Sequence, residues 1–106
     1  MSSTTVSTTL TNIVGGEAIP AADGQTLEKR SPVTDEVISL LPRSGATDVD
    51  RAIDAACRAQ PEWAARTAVE RGTVLRRVAA LLERDAERVA AVVAAETGKS
   101  PKEALG

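Results

Sequence analysis

The hydrophobic period of this chain changes once, across Pro42-Arg43-Ser44-Gly45-Ala46, and that change divides it into a strand-forming and a helix-forming part. Ahead of the linker, apolar and β-branched residues come in short runs bounded by turn residues. Ile13-Val14, Gly15-Gly16 and Glu17-Ala18-Ile19 read as a hairpin, because paired glycines supply the positive φ values a tight hairpin turn needs. Pro20 to Gly24 is a second turn. Thr26 to Arg30 and Val37 to Leu41 read as two further strands around the turn from Pro32 to Glu36. The first eleven residues, mostly Ser and Thr without a period, are expected to be a disordered or loosely docked tail.

Beyond the linker the spacing is that of helices. Thr47 is the expected cap of the first, with Asp48 and Asp50 near the positive end of its dipole and Val49, Ala52, Ile53 and Ala56 as a stripe to bury. Pro61 is expected to end that helix. Thr67 and Glu70 have the spacing of a capping box, opening a second helix through about Arg84 whose buried stripe is Val74, Leu75, Val78, Leu81 and Leu82. Asp85 is the expected cap of a third helix running to Thr97, with Gly98 in the left-handed position just past its end. Its Val89 to Ala95 run is apolar on all sides, which calls for burial from several directions. Pro101 stands at the first position of a fourth helix, of which only the start is present.

Material for a core is thin. Apolar residues make up 42% of the 106, but Trp63 is the only aromatic, so the interior must be built from Ala, Val, Leu and Ile. Thirteen basic and fifteen acidic residues leave a net charge near -2, which gives no field to draw in nucleic acid or an anionic membrane. A lone cysteine excludes an intrachain disulfide and suits a reducing, cytoplasmic setting.

The chemistry-bearing candidates each have a plainer reading. Histidine is absent, and with it the commonest general base and metal ligand. Cys57, four residues beyond Ile53, is expected to be a half-buried structural thiol, since it sits near a helix C-terminus rather than an N-terminus and only Arg58 is adjacent in sequence. Gly98-Lys99-Ser100 copies the end of a phosphate-binding loop, but Val93 stands where the first glycine belongs and a helix precedes it where that loop needs a strand. Gly15-Gly16 lacks the rest of a dinucleotide fingerprint. Arg71, Arg76, Arg77, Arg84 and Arg88 could be a basic face for DNA, yet Glu70, Glu83, Asp85 and Glu87 interleave with them. Arg84/Glu87 and Asp85/Arg88 have pairing distance on a helix. Asp48/Asp50/Asp54 and Glu83/Asp85/Glu87 read as caps and solvent face, and Trp63 as an apolar anchor between helices.

The order of segments from Asn12 to Gly106 resembles the N-terminal part of the NAD(P)-dependent aldehyde dehydrogenase superfamily. Ile13-Val14-Gly15-Gly16-Glu17 resembles its opening I-x-G-G-E, with Ala18 where tryptophan is common. Ser31-Pro32-Val33-Thr34-Asp35-Glu36-Val37-Ile38 resembles its N-P-x-T-G-E-x-I turn, with Ser31 for Asn and Asp35 for Gly. Asp48 to Ile53 resembles its first helix, and Pro61-Glu62-Trp63 its P-x-W junction. Glu70-Arg71-Gly72, Leu75-Arg76-Arg77 and Leu81-Leu82-Glu83 resemble its second helix. Glu96-Thr97-Gly98-Lys99 resembles its E-x-G-K helix end, with Glu103-Ala104 following.

The resemblance implies an α/β aldehyde dehydrogenase-like fold in a parent enzyme. Residues 12–106 would be the first portion of its cofactor-binding region, strands at about 12–41 and helices at about 47–106, incomplete at the C-terminus. It implies oxidation of an aldehyde by a cysteine thiolate, with hydride passing to NAD or NADP and a glutamate-activated water releasing the acid. In the family, those groups lie beyond residue 106. No catalytic, cofactor-binding or metal residue is therefore expected here, and neither NAD nor NADP is expected to bind this segment alone. The expected partners are the rest of the same chain and, for the parent, an aldehyde and further copies of itself. The competing readings are a stand-alone helical module presenting Val89 to Ala95 to another protein, and a small DNA-binding protein.

Overall fold

A computed structural model describes residues 8–106, in the order β1 (Thr8–Thr9), β2 (Asn12–Val14), β3 (Glu17–Ile19), β4 (Thr26–Arg30), β5 (Val37–Pro42), α1 (Ala46–Ala65), α2 (Ala68–Arg84), α3 (Ala86–Thr97) and α4 (Pro101–Leu105). The change of period at Pro42 to Ala46 is the boundary between strands and helices. β2 and β3 pair antiparallel with Val14 opposite Glu17, and the two glycines between them take φ +60° and +82°, the pair of positive values that a two-residue hairpin turn demands.

β4 and β5 form the second antiparallel pair, Leu27 opposite Leu41, with an irregularity between Lys29 and Arg30. Their connecting turn closes by Ser31 N–H donating to the Glu36 carbonyl at 2.9 Å and Asp35 N–H to the Ser31 carbonyl at 2.9 Å. Asp35 adopts φ +63°, so it takes the left-handed conformation that glycine would occupy in the family motif; aspartate tolerates this better than most residues because its short side chain is polar. The Ser31 hydroxyl accepts from Val33 and Thr34 N–H, both at 3.2 Å, as an asparagine oxygen could.

Four expectations give way here. The tail was expected through Thr11, but Thr8–Thr9 pairs parallel with Ser39–Leu40 as β1, and Leu10 N–H donates to the Leu40 carbonyl at 2.8 Å; residues 1–7 of that tail lie outside the described residues. Helix α1 begins one residue before Thr47, with Gly45 in the capping position. It also runs through Pro61 to Ala65. Proline's fixed φ is itself helical and forfeits only one backbone hydrogen bond there; the helix stops at Arg66, whose backbone is extended at φ -71° and ψ 150°. Asp85 does hold the cap position of α3, but not with its side chain: its backbone, at φ -101° and ψ 18°, joins α2 to α3, while its carboxylate is held by arginines.

The remaining helix ends follow the sequence. Thr67 Oγ1 accepts from Glu70 N–H at 3.1 Å while Glu70 Oε1 accepts from Thr67 N–H at 3.2 Å, completing the capping box. Gly98 closes α3 at φ +79°, and Ser100 caps α4 by accepting from Glu103 N–H at 3.2 Å, with Pro101 in the first helical position.

What these elements do not do is enclose a core. Among the described residues the buried apolar side chains are Ala21 and Ala90, and the stripes expected to be buried on α1 and α2 lie open: Ile53 is 55% exposed and Leu75 63%. Of the all-apolar run on α3, Ala90 alone is buried and Val92 stays half exposed. The fold is a slab of 53 × 37 × 16 Å with a radius of gyration of 17.3 Å, against about 13 Å for a compact domain of this length.

Candidate functional site

The side chains that organise this slab sit at its joints. Asp48, in the first turn of α1, is 8% exposed and accepts two backbone N–H groups: Gly45 through Oδ2 at 2.9 Å and Ala22 through Oδ1 at 2.8 Å. One carboxylate thus ties the helix start to the turn after β3, while Arg43 N–H donates to the Gln25 carbonyl at 2.8 Å alongside. The N–H donors of Gly45 and Ala22 hold the Asp48 carboxyl below its ordinary pKa, with burial opposing them and Arg51 adding a smaller pull. Sequence reading placed Asp48 at the helix dipole but missed its reach to Ala22, which is 26 residues away; the Gly45-to-Asp48 spacing was the available signal.

At the other joints, the Thr67 N–H and hydroxyl hold Glu70 low, and the Arg84 and Arg88 guanidiniums hold Asp85 low. Arg84 pairs with Asp85 at 3.1 Å rather than with Glu87, and Arg88 joins the same carboxylate at 3.2 Å. Four of the arginines read as a basic face, Arg71, Arg76, Arg84 and Arg88, make local contacts. Arg71 donates to the carbonyls of Ala64 and Arg66, Arg76 donates to the Thr73 hydroxyl at 3.3 Å, and Arg66 stacks 6.0 Å from the centre of the Trp63 ring. Trp63 is therefore a half-exposed platform for that guanidinium near the end of α1.

Cys57 is exposed, not half buried as expected. Among the described residues no set of three or more His, Cys, Asp or Glu converges as a metal site. Nor does the chain offer a phosphate cradle at Gly98-Lys99-Ser100. Gly98 N–H donates to the Ala94 carbonyl at 2.9 Å, Lys99 N–H to the Thr97 hydroxyl at 3.3 Å, and the Ser100 hydroxyl accepts from Glu103. The Gly98 and Lys99 N–H groups and the Ser100 hydroxyl are thus engaged in ending one helix and starting the next.

The concave features are open and shallow. A groove of about 540 Å³ between α3 and α4 is lined by Ala90, Ala91, Ala94, Pro101 and Leu105 with Glu87 and Lys102. A smaller one, about 240 Å³, lies between the β2–β3 hairpin and α1, bordered by Ile13, Val14, Val49 and Ala52. The larger is an apolar surface suited to packing, and the smaller adds Asn12, Ser44 and Asp48 to its apolar lining, with Asn12 Nδ2 donating to the Ser44 hydroxyl at 2.8 Å. No helix among the described residues is long and apolar enough to cross a membrane.

The sequence profile of the aldehyde dehydrogenase family matches residues 19–106. This chain belongs to the aldehyde dehydrogenase family. Solved structures agree with the profile in fold and in sequence. The chain superimposes with a TM-score of 0.89 on a 3,6-anhydro-L-galactose dehydrogenase, at 38% identity over 92% of this chain and 20% of that one. It matches PnpE, solved in complex with nicotinamide adenine dinucleotide, with a TM-score of 0.89 and 32% identity over 92% of this chain and 20% of that one. An NAD-dependent aldehyde dehydrogenase from Sinorhizobium meliloti is similar at 31% identity and a TM-score of 0.88, again over 92% and 20%. The chain spans about one fifth of the length of the solved structures it matches. The α/β expectation, strands first and helices after, is borne out, with α4 as a fourth helix.

Proposed function

We propose that these residues serve as the outer strands and helices flanking the cofactor domain of an enzyme that oxidises an aldehyde to a carboxylic acid with NAD or NADP, through a cysteine thiohemiacetal and thioester. In this reading the 106 residues supply structure and no chemistry, and Cys57 is not the nucleophile. The observation that carries it is the exposure of the helical stripes. Ile53, Leu75 and Leu82 have core spacing yet lie more than half exposed, as expected of surfaces built to pack on further polypeptide of the same fold. Membership of the family supplies the reaction class. The engagement of the Gly98 and Lys99 N–H groups within the chain supports the absence of cofactor binding by this segment. A cytoplasmic, homo-oligomeric enzyme is the setting that family membership favours.

The test is an assay of the purified 106-residue chain with a panel of aldehydes and either NAD or NADP, followed by nicotinamide absorbance, with calorimetric titration of each cofactor in parallel. No reduced cofactor and no binding heat are expected. Turnover by these residues alone would falsify the structural assignment.

A further inference from the structure

We draw no further inference here: the strongest candidate, the exposed apolar face that Leu75, Val78 and Leu82 present along α2, carries nothing beyond the packing role already proposed, because nothing in the structure shows what covers it.

Discussion

The Asp48 carboxylate accepts the Ala22 N–H at 2.8 Å, and through it the start of α1 is bound to a turn 26 residues earlier in the chain. Its second oxygen holds Gly45 N–H at 2.9 Å, so a single side chain satisfies one orphan donor at the helix start and one in the turn. Replacing Asp48 with Ala removes both acceptors, and we expect the Ala22 amide to exchange with solvent on the order of tenfold faster, as loss of a capping side chain typically allows. Asp48→Asn, which keeps one carbonyl oxygen, should fall between. Hydrogen exchange resolved at Ala22 and Gly45 checks both, and unchanged rates in Asp48→Ala would sink the clamp.

Acid should weaken the same joint. The pKa of Asp48 is depressed in the folded chain relative to its usual 3.8, so its contribution is complete above that value and is lost as pH falls through the lower, folded one. Glu70 and Asp85 are depressed too and add in the same sense. An NMR titration should therefore show these three carboxylates ionising below ordinary Asp and Glu values. Thr67→Ala should move Glu70 part of the way back up, because it removes the hydroxyl but leaves the Thr67 N–H donor.

The capping box at α2 gives a stability prediction. Thr67→Ala is expected to cost about 1 kcal/mol, with Thr67→Ser nearly neutral because it keeps the oxygen that accepts from Glu70 N–H. Urea denaturation followed by helical circular dichroism measures the difference, and equal midpoints for Ala and Ser would contradict it.

Gly98 and Gly16 separate backbone strain from packing. Both hold positive φ, +79° and +82°, but a methyl group added at Gly98 meets Pro32 Cγ and Val33 Cγ2 at 3.4 Å, whereas one at Gly16 meets nothing within 4 Å. Each alanine substitution should cost about 1–2 kcal/mol for the left-handed backbone. The Gly98 variant should also place a methyl group in contact with the β4–β5 turn that rests on the end of α3, where Lys29 and Glu96 approach to 3.8 Å. Chemical-shift changes reaching Pro32 to Asp35 in Gly98→Ala and absent from Gly16→Ala are the expected signature.

The open apolar faces predict the solution behaviour of the 106 residues. The chain should self-associate and bind an apolar fluorescent dye, and polar substitutions at Leu75 and Leu82 should reduce both. Sedimentation velocity and dye titration are the measurements. A monodisperse species that melts cooperatively would favour a stand-alone helical module instead.

Local structure was legible because its causes are local. The hairpin at Gly15-Gly16, the box at Thr67 and Glu70, the stop at Gly98 and the start at Pro101 each depend on residues within a few positions of one another. Pro61 misled because proline's fixed φ is itself helical, and α1 absorbs the one backbone hydrogen bond that it removes. Asp85 misled because a carboxylate between two helices has more than one partner within reach, and the flanking arginines won it.

The sequence by itself determined the order of strands and helices from β2 onward, most of their ends and the likeness to the aldehyde dehydrogenase family, since periodicity, caps and turn residues act over a few positions. Only the tertiary structure decided which faces are covered. It carried Asp48 to Ala22 across 26 residues, and it left Ile53, Leu75 and Leu82 open. Hydrophobic spacing says that a face should be buried, but burial needs a second surface, and that depends on which elements meet in space.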